Sequence, residues 1–131
     1  MESLFGIVCR VDVAASLPAL TRDQGVQLYH IAQEAARNGI RHAKARRVEI
    51  SVRHESGQLI QTVRNDGSAW DPTKESANSL GLRIMRYRAG TLGGTLSLQS
   101  EPDGHSSVIC QLPLPLPGQT RPTSGDPAPT L

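Results

Sequence analysis

Glu34, Asn38 and His42 are spaced four residues apart, so a helix through them places all three on one face. An asparagine there offers a carbonyl oxygen to Mg²⁺. That ion keeps most of its waters and takes only one or two protein oxygens beside phosphates, so a single Asn suffices. Glu34 can hold a metal-bound water or act as a base, and His42, one turn further on, can reach phosphate oxygens. Each residue also has an ordinary reading: a polar stripe can be solvated surface, and a lone histidine is more often structural.

Two glycine segments follow. Asn65-Asp66-Gly67 closes an alternating run. An acceptor at a strand end, followed by glycine, can read the exocyclic amine of adenine while backbone packs against the ring; in isolation the tripeptide is an ordinary turn. Leu80-Gly81-Leu82 puts a glycine just ahead of a second helical pattern. Backbone N–H groups at a helix start bind phosphate without any side-chain charge, though a plain loop glycine reads the same way.

The elements that must position these residues are legible from periodicity. Residues 7–13 alternate as a strand, and Pro18 with Thr21 to Asp23 breaks the chain and supplies N-caps. From about Gln24, Leu28, Ile31, Ala32, Ala35 and Gly39 recur at helical spacing and form a small-residue stripe suited to close packing on a sheet. Residues 47–54 and 58–64 alternate around Ser56-Gly57 and read as a hairpin. Residues 68–80 are polar, contain Pro72 and lack a period, which predicts a functional or mobile loop, here a lid carrying Trp70. Helical spacing resumes over Leu82 to Leu92 and stops at Gly93-Gly94; strands through Leu96 and Leu98, and through Val108, Cys110 and Leu112, complete the order. The pattern predicts a two-layer α/β (α+β) sandwich: a mixed, mostly antiparallel sheet with both helices on one face.

Composition bounds the possibilities. The 131 residues suit one domain, able to bury roughly two thirds of its unfolded surface. Aromatics make up only 3%, so Leu, Ile, Val and Ala must build the core. No apolar run approaches the roughly 20 residues of a membrane span, and the start, Met-Glu-Ser-Leu-Phe, lacks the basic region of a signal peptide. Cys9 and Cys110 lie in apolar runs and read as reduced core cysteines, which fits a cytoplasmic setting. A net charge of +2 does not predict nucleic-acid binding, although Arg37, Arg41, Lys44, Arg46 and Arg47 cluster. Six of the nine prolines follow Leu112, so residues 115–131 read as a disordered tail and 1–114 as the domain.

Taken together, residues from about 7 to 114 resemble the catalytic ATP-binding domain of sensor histidine kinases in the nitrate-sensor-like group, which has the Bergerat-type ATPase fold. Gln33-Glu34-Ala35 with Asn38 and His42 looks like that family's N box, whose Asn binds Mg²⁺. Leu82-Arg83-Ile84-Met85, Arg88-Ala89 and Leu92-Gly93-Gly94-Thr95-Leu96 match the segment after its phosphate-binding glycine. The resemblance implies a protein histidine kinase domain using ATP and Mg²⁺, with Glu34 and Asn38 catalytic. It also implies nucleotide contacts at Asn38, His42, Asn65, Gly67, Leu80, Gly81, Leu82 and Ser106.

The chain departs from the family at four places, one being Ser79, where many relatives have a further glycine. Asn65 stands where relatives have the adenine-reading Asp, Ala69 replaces a glycine, and His105-Ser106 stands for Gly-Thr. The family's phosphoacceptor histidine precedes this domain on a dimerisation helix, for which there is no room before residue 7. His54-Glu55 imitates the acceptor dipeptide but falls at a strand end. The expectation is a fragment or a module acting in trans on a histidine-containing dimerisation domain and, through it, a response regulator. The alternatives are a degenerate regulatory binding module, an anti-sigma-type serine kinase and, third, a nucleic-acid binder using the basic cluster.

Overall fold

The computed structural model of the chain describes residues 2–4, 7–14, 17, 19–42, 44–67, 80–114 and 116, with side chains at all of these except 2–4, 7 and 42. Among them, strands β1 (Glu2–Leu4), β2 (Ile7–Val13), β3 (Arg47–Glu55), β4 (Gln58–Asn65), β5 (Thr95–Ser100) and β6 (Ser106–Pro113) form one sheet in the order β1-β2-β3-β4-β6-β5. Only β2 and β3 run parallel, joined by helix α1 (Arg22–His42); every other pairing is antiparallel. Helix α2 (Leu80–Thr91) connects β4 to β5. The sheet is therefore mixed and mostly antiparallel, as the alternation predicts.

Local chemistry explains where the elements begin and end. Thr21 Oγ1 accepts the Gln24 N–H at 3.1 Å and Gln24 Oε1 accepts the Thr21 N–H at 2.9 Å, a reciprocal capping box that starts α1. The β3–β4 hairpin turns through Ser56 and Gly57, both left-handed at φ 54° and 74°, matching the twist of a two-residue turn. His54 thus lies on an exposed strand end and not on a helix. At the end of α2, Gly93 takes φ 77°, and the Gly94 and Gly93 N–H groups return to the carbonyls of Ala89 and Gly90. This pair of bonds satisfies the last open carbonyls of the helix.

One apolar core lies between sheet and helices. Leu28, Ile31, Ala32 and Ala35 of α1 and Leu82, Met85 and Ala89 of α2 pack on Val48, Leu59, Val63, Leu96, Cys110 and Leu112 of the sheet. Gln61, buried among them, donates from Nε2 to the Leu28 carbonyl at 3.2 Å and ties α1 to β4. Gly94 is needed for close approach, because a Cβ there would strike Leu112 and the Gln111 carbonyl of β6.

The structure differs from the sequence reading in four respects. β1 is too short to show a period. The second helix opens at Leu80, so the loop ends one residue earlier and Gly81 lies inside the first turn. Cys9 is only partly buried, whereas Cys110 is a core residue. Packing also runs past the boundary at 114, since Leu116 is 1% exposed within the core cluster. An apolar residue between prolines can still anchor a segment that composition marks as polar. Residues 68–79, including Trp70 and Ala69, and 117–131 fall outside the described residues.

Candidate nucleotide site

The C-terminal half of α1, the end of β4, the start of β6 and the start of α2 meet at one end of the sandwich, and direct contacts join them. Gly39 of α1 lies against Asn65: a Cβ on Gly39 would sit 3.0 Å from Asn65 Nδ2. Across the sheet, Asn65 pairs with Ser106 in register, and Asn65 Nδ2 donates to Ser106 Oγ at 3.2 Å. Asn65 Oδ1 accepts the Gly67 N–H at 2.8 Å, folding the chain back over the strand end. These two bonds fix which amide atom is oxygen, because only oxygen can accept from a backbone N–H. Asn65 and Ser106 are both buried.

On the other flank of α1, Glu34 reaches the start of α2. A Cβ on Gly81 would collide with Glu34 Oε2 and lie 3.1 Å from its Cδ. The first turn of a helix carries its positive dipole end, so the Glu34 carboxylate lies against the positive end of α2. Arg37 stands 3.6 Å from Glu34 and adds a cation to this rim. Asn38 lies one turn beyond Glu34, next to Gly39 and partly buried, and its side chain makes no hydrogen bond among the described residues.

The structure thus brings Glu34, Asn38, Asn65, Gly67, Gly81 and Ser106 to one end of the fold. His42 closes α1, but its side chain lies outside the described residues. Leu80 is exposed, while the Leu82 side chain is buried in the core, which leaves only backbone at position 82 for a ligand. The glycine expected ahead of α2 sits within its first turn.

Asp66 escaped the sequence reading. Its Oδ1 accepts the N–H groups of Arg46 and Arg47, both at 2.9 Å, and its own N–H donates to the Arg47 carbonyl at 3.2 Å. The Arg47 N–H, the largest influence, holds the Asp66 carboxyl below the usual carboxylate range; burial opposes it, and the Arg46 N–H adds a lesser lowering. An acid directly after a strand, opposite the first residue of its neighbour, was the available signal.

A second polar group lies around Arg64. Arg64 Nε meets Glu101 at 2.7 Å, one guanidinium nitrogen meets Asp103 at 2.7 Å and the other approaches Glu49 at 3.6 Å. The Arg64 hydrogen bond, then that of Ser107, depresses the Glu101 carboxyl. His105 donates its N–H to Asp103 Oδ1 at 3.0 Å, the main reason the Asp103 carboxyl is low. Ligand atoms of Glu101, Asp103 and His105 come within 4.8 Å of one another, the sole such cluster among the described residues. Arg64 already supplies its cation. His105 Nδ1 lies 3.2 Å from Asp103 Oδ2 without forming a hydrogen bond, so the contact is an ion pair only when the ring is protonated.

Residues 23–116 match the family described as histidine kinase-, DNA gyrase B- and HSP90-like ATPases. The chain belongs to this family and has its Bergerat-type fold. Among curated relatives, it is 27% identical over 89 residues to the signal transduction histidine-protein kinase/phosphatase DegS of Brevibacillus brevis, covering 68% of this chain and 23% of that protein. It is 35% identical over 96 residues to the nitrate/nitrite sensor protein NarQ of Escherichia coli, covering 71% and 17%. The chain therefore spans about a quarter or less of these relatives. The histidine kinase domain of the blue-light activated kinase of Erythrobacter litoralis superposes with a TM-score of 0.69 at 24% identity, covering 85% of this chain and 53% of that one.

Proposed function

We propose that this chain is the Mg-ATP-binding catalytic domain of a two-component sensor histidine kinase of the nitrate-sensor-like group, passing the γ-phosphate to a histidine on a separate dimerisation domain. The observation that carries the reading is the convergence of Glu34 with Gly81, and of Asn65 with Gly39, Gly67 and Ser106, at one end of a histidine-kinase-type ATPase fold. Asn65, Gly67 and Ser106 form the base side. Leu80, Gly81 and Leu82 at the start of α2 are assigned to the phosphate side, and His42 at the end of α1 is assigned a further phosphate contact. Asn38, between the two, has a free amide oxygen to offer Mg²⁺.

Phosphoryl transfer asks little covalent chemistry of a protein; positioning and charge neutralisation do most of the work. Mg²⁺, when bound, neutralises charge on the phosphates. Glu34 would hold a water of the metal if the ion is bound, or would take the proton of the incoming imidazole. The phosphoryl group moves from ATP to that ring nitrogen, leaving ADP, and then passes to a response regulator. This reading places the domain in the cytoplasm; no described helix is long and apolar enough to cross a membrane.

The neutral amide at Asn65, already bonded to Gly67 and Ser106, favours a second reading, a degenerate module acting through protein contacts. Mixing the chain with the dimerisation domain of its own system and ATP labelled at the γ-position separates the two. Label on the dimerisation domain, absent with Asn38→Ala, supports the kinase. No label there favours the module, and label on the isolated chain that disappears in His54→Ala would make His54 the acceptor.

A further inference from the structure

We infer that Asp66 is a positioning residue for the base side of the nucleotide site, holding Asn65 and Gly67 in place by stapling the end of β4 to the start of β3. The inference rests on the nucleotide reading above and adds a residue that reading does not use. Asp66 follows the last residue of β4, and three bonds tie it to the chain entering β3: Arg46 N–H to Oδ1, Arg47 N–H to Oδ1, and its own N–H to the Arg47 carbonyl. The two side-chain bonds share one oxygen and join residues 20 and 19 positions apart in the chain. Bonds from a carboxylate to backbone N–H groups are among the stronger neutral-to-charged kind.

The staple acts on its two neighbours. Asn65 precedes it and presents the buried amide; Gly67 follows it, and its N–H closes the turn onto Asn65 Oδ1 at 2.8 Å. That turn needs the chain to leave β4 in one direction, and the bonds of Asp66 to Arg46 and Arg47 set the direction. The Asp66 carboxylate itself is exposed, so water can replace it as acceptor once it is removed. The loss of global stability is then limited, because water takes over the exposed acceptor position. Small displacements of positioning groups are costly for ligands. A loss of base recognition without a loss of fold is the signature of positioning.

The test compares Asp66→Ala and Asp66→Asn with the wild type. Asn retains an oxygen able to accept both N–H groups, and Ala does not. In the ligand-free, isotope-labelled protein, exchange of the Gly67 amide should accelerate about tenfold in Asp66→Ala and stay near wild type in Asp66→Asn. The melting temperature should move by no more than about 4 °C. Calorimetry with Mg-ADP should show about tenfold weaker binding for Asp66→Ala and within about threefold for Asp66→Asn, while magnesium tripolyphosphate, which has no base, binds all three alike. Unchanged Gly67 exchange in Asp66→Ala, or equal weakening of both ligands, overturns the inference. If wild type binds neither ligand, the nucleotide reading itself fails and the base-side role falls with it, whereas Gly67 exchange still reports whether the staple orders the turn.

Discussion

Glu34 occupies the space that a side chain at residue 81 would need: a Cβ on Gly81 would collide with its carboxylate. The acid of one helix and the glycine of the next are thus a matched pair, since Glu34 can lie against the first turn of α2 only because position 81 has no side chain. Gly81→Ala should disturb this pair more than the fold. The colliding atom is the end of a flexible side chain, and alanine in a helix gains up to about 1 kcal/mol over glycine. We expect stability within about 1 kcal/mol of wild type by urea titration, together with lost phosphate-dependent nucleotide affinity.

Gly94→Ala should do the reverse. Its Cβ would meet the Gln111 backbone and Leu112, neither of which can swing away, so overpacking of about 1–3 kcal/mol is expected. A urea midpoint at or above wild type would contradict the close packing of Gly94 on β6.

Asn65→Asp bears on base recognition. A carboxylate can still accept from Gly67 and would take the Ser106 hydroxyl as a donor, while offering the adenine amine a charged acceptor. Neutral hydrogen bonds contribute roughly 0.5–1.5 kcal/mol and charged ones about 1.5–3, so a gain on the order of 1 kcal/mol, roughly fivefold in affinity, is expected for ATP and not for GTP. Equal tightening of both nucleotides by calorimetry would show that this residue does not read the base.

Acid should weaken the fold through identified groups. The carboxyls of Asp66, Glu101 and Asp103 all lie below their ordinary values of 3.8, 4.5 and 3.8. A depressed carboxyl stabilises the fold above its ordinary value and loses that contribution as pH falls through the folded one. Urea midpoints should therefore drop below about pH 4.5, and Glu101→Gln, which removes the main partner of Arg64, should flatten the lower part of that curve. An unchanged acid profile in Glu101→Gln would remove this network from the account.

The two thiols should differ. Burial pushes the Cys110 thiol up to about 11, and the thiolate is the reactive form. Native protein should release one equivalent of chromophore quickly from a disulfide reagent, through the partly buried Cys9, and the second only on unfolding. Two fast equivalents would contradict a closed core around Cys110.

What periodicity could reveal, it did. The small-residue stripe of α1 predicted a helix lying close to a sheet, and Gly39 against Asn65 is that contact. The alternation of β3 and β4 foretold the hairpin, and with it the strand-end position of His54. Asp66 stayed hidden because its partners are backbone N–H groups far along the chain, and only the folded sheet brings them together. Leu116 was hidden for a related reason: composition averages over a proline-rich segment and cannot see one leucine entering the core. The start of α2 was placed late because Leu80 and Gly81 contribute nothing buried to its period.

The central claim is that Asn38 holds the metal of a bound nucleotide, and calorimetry of Mg-ADP and metal-free ADP against wild type and Asn38→Ala tests it most directly. Asn38 is partly buried, borders Gly39 and has a side chain with no bond to another described residue, so alanine should leave the circular-dichroism spectrum unchanged. The account predicts that wild type binds ADP more tightly with Mg²⁺ than without it, and that Asn38→Ala abolishes this difference. Equal Mg-ADP affinity in the two proteins would contradict it.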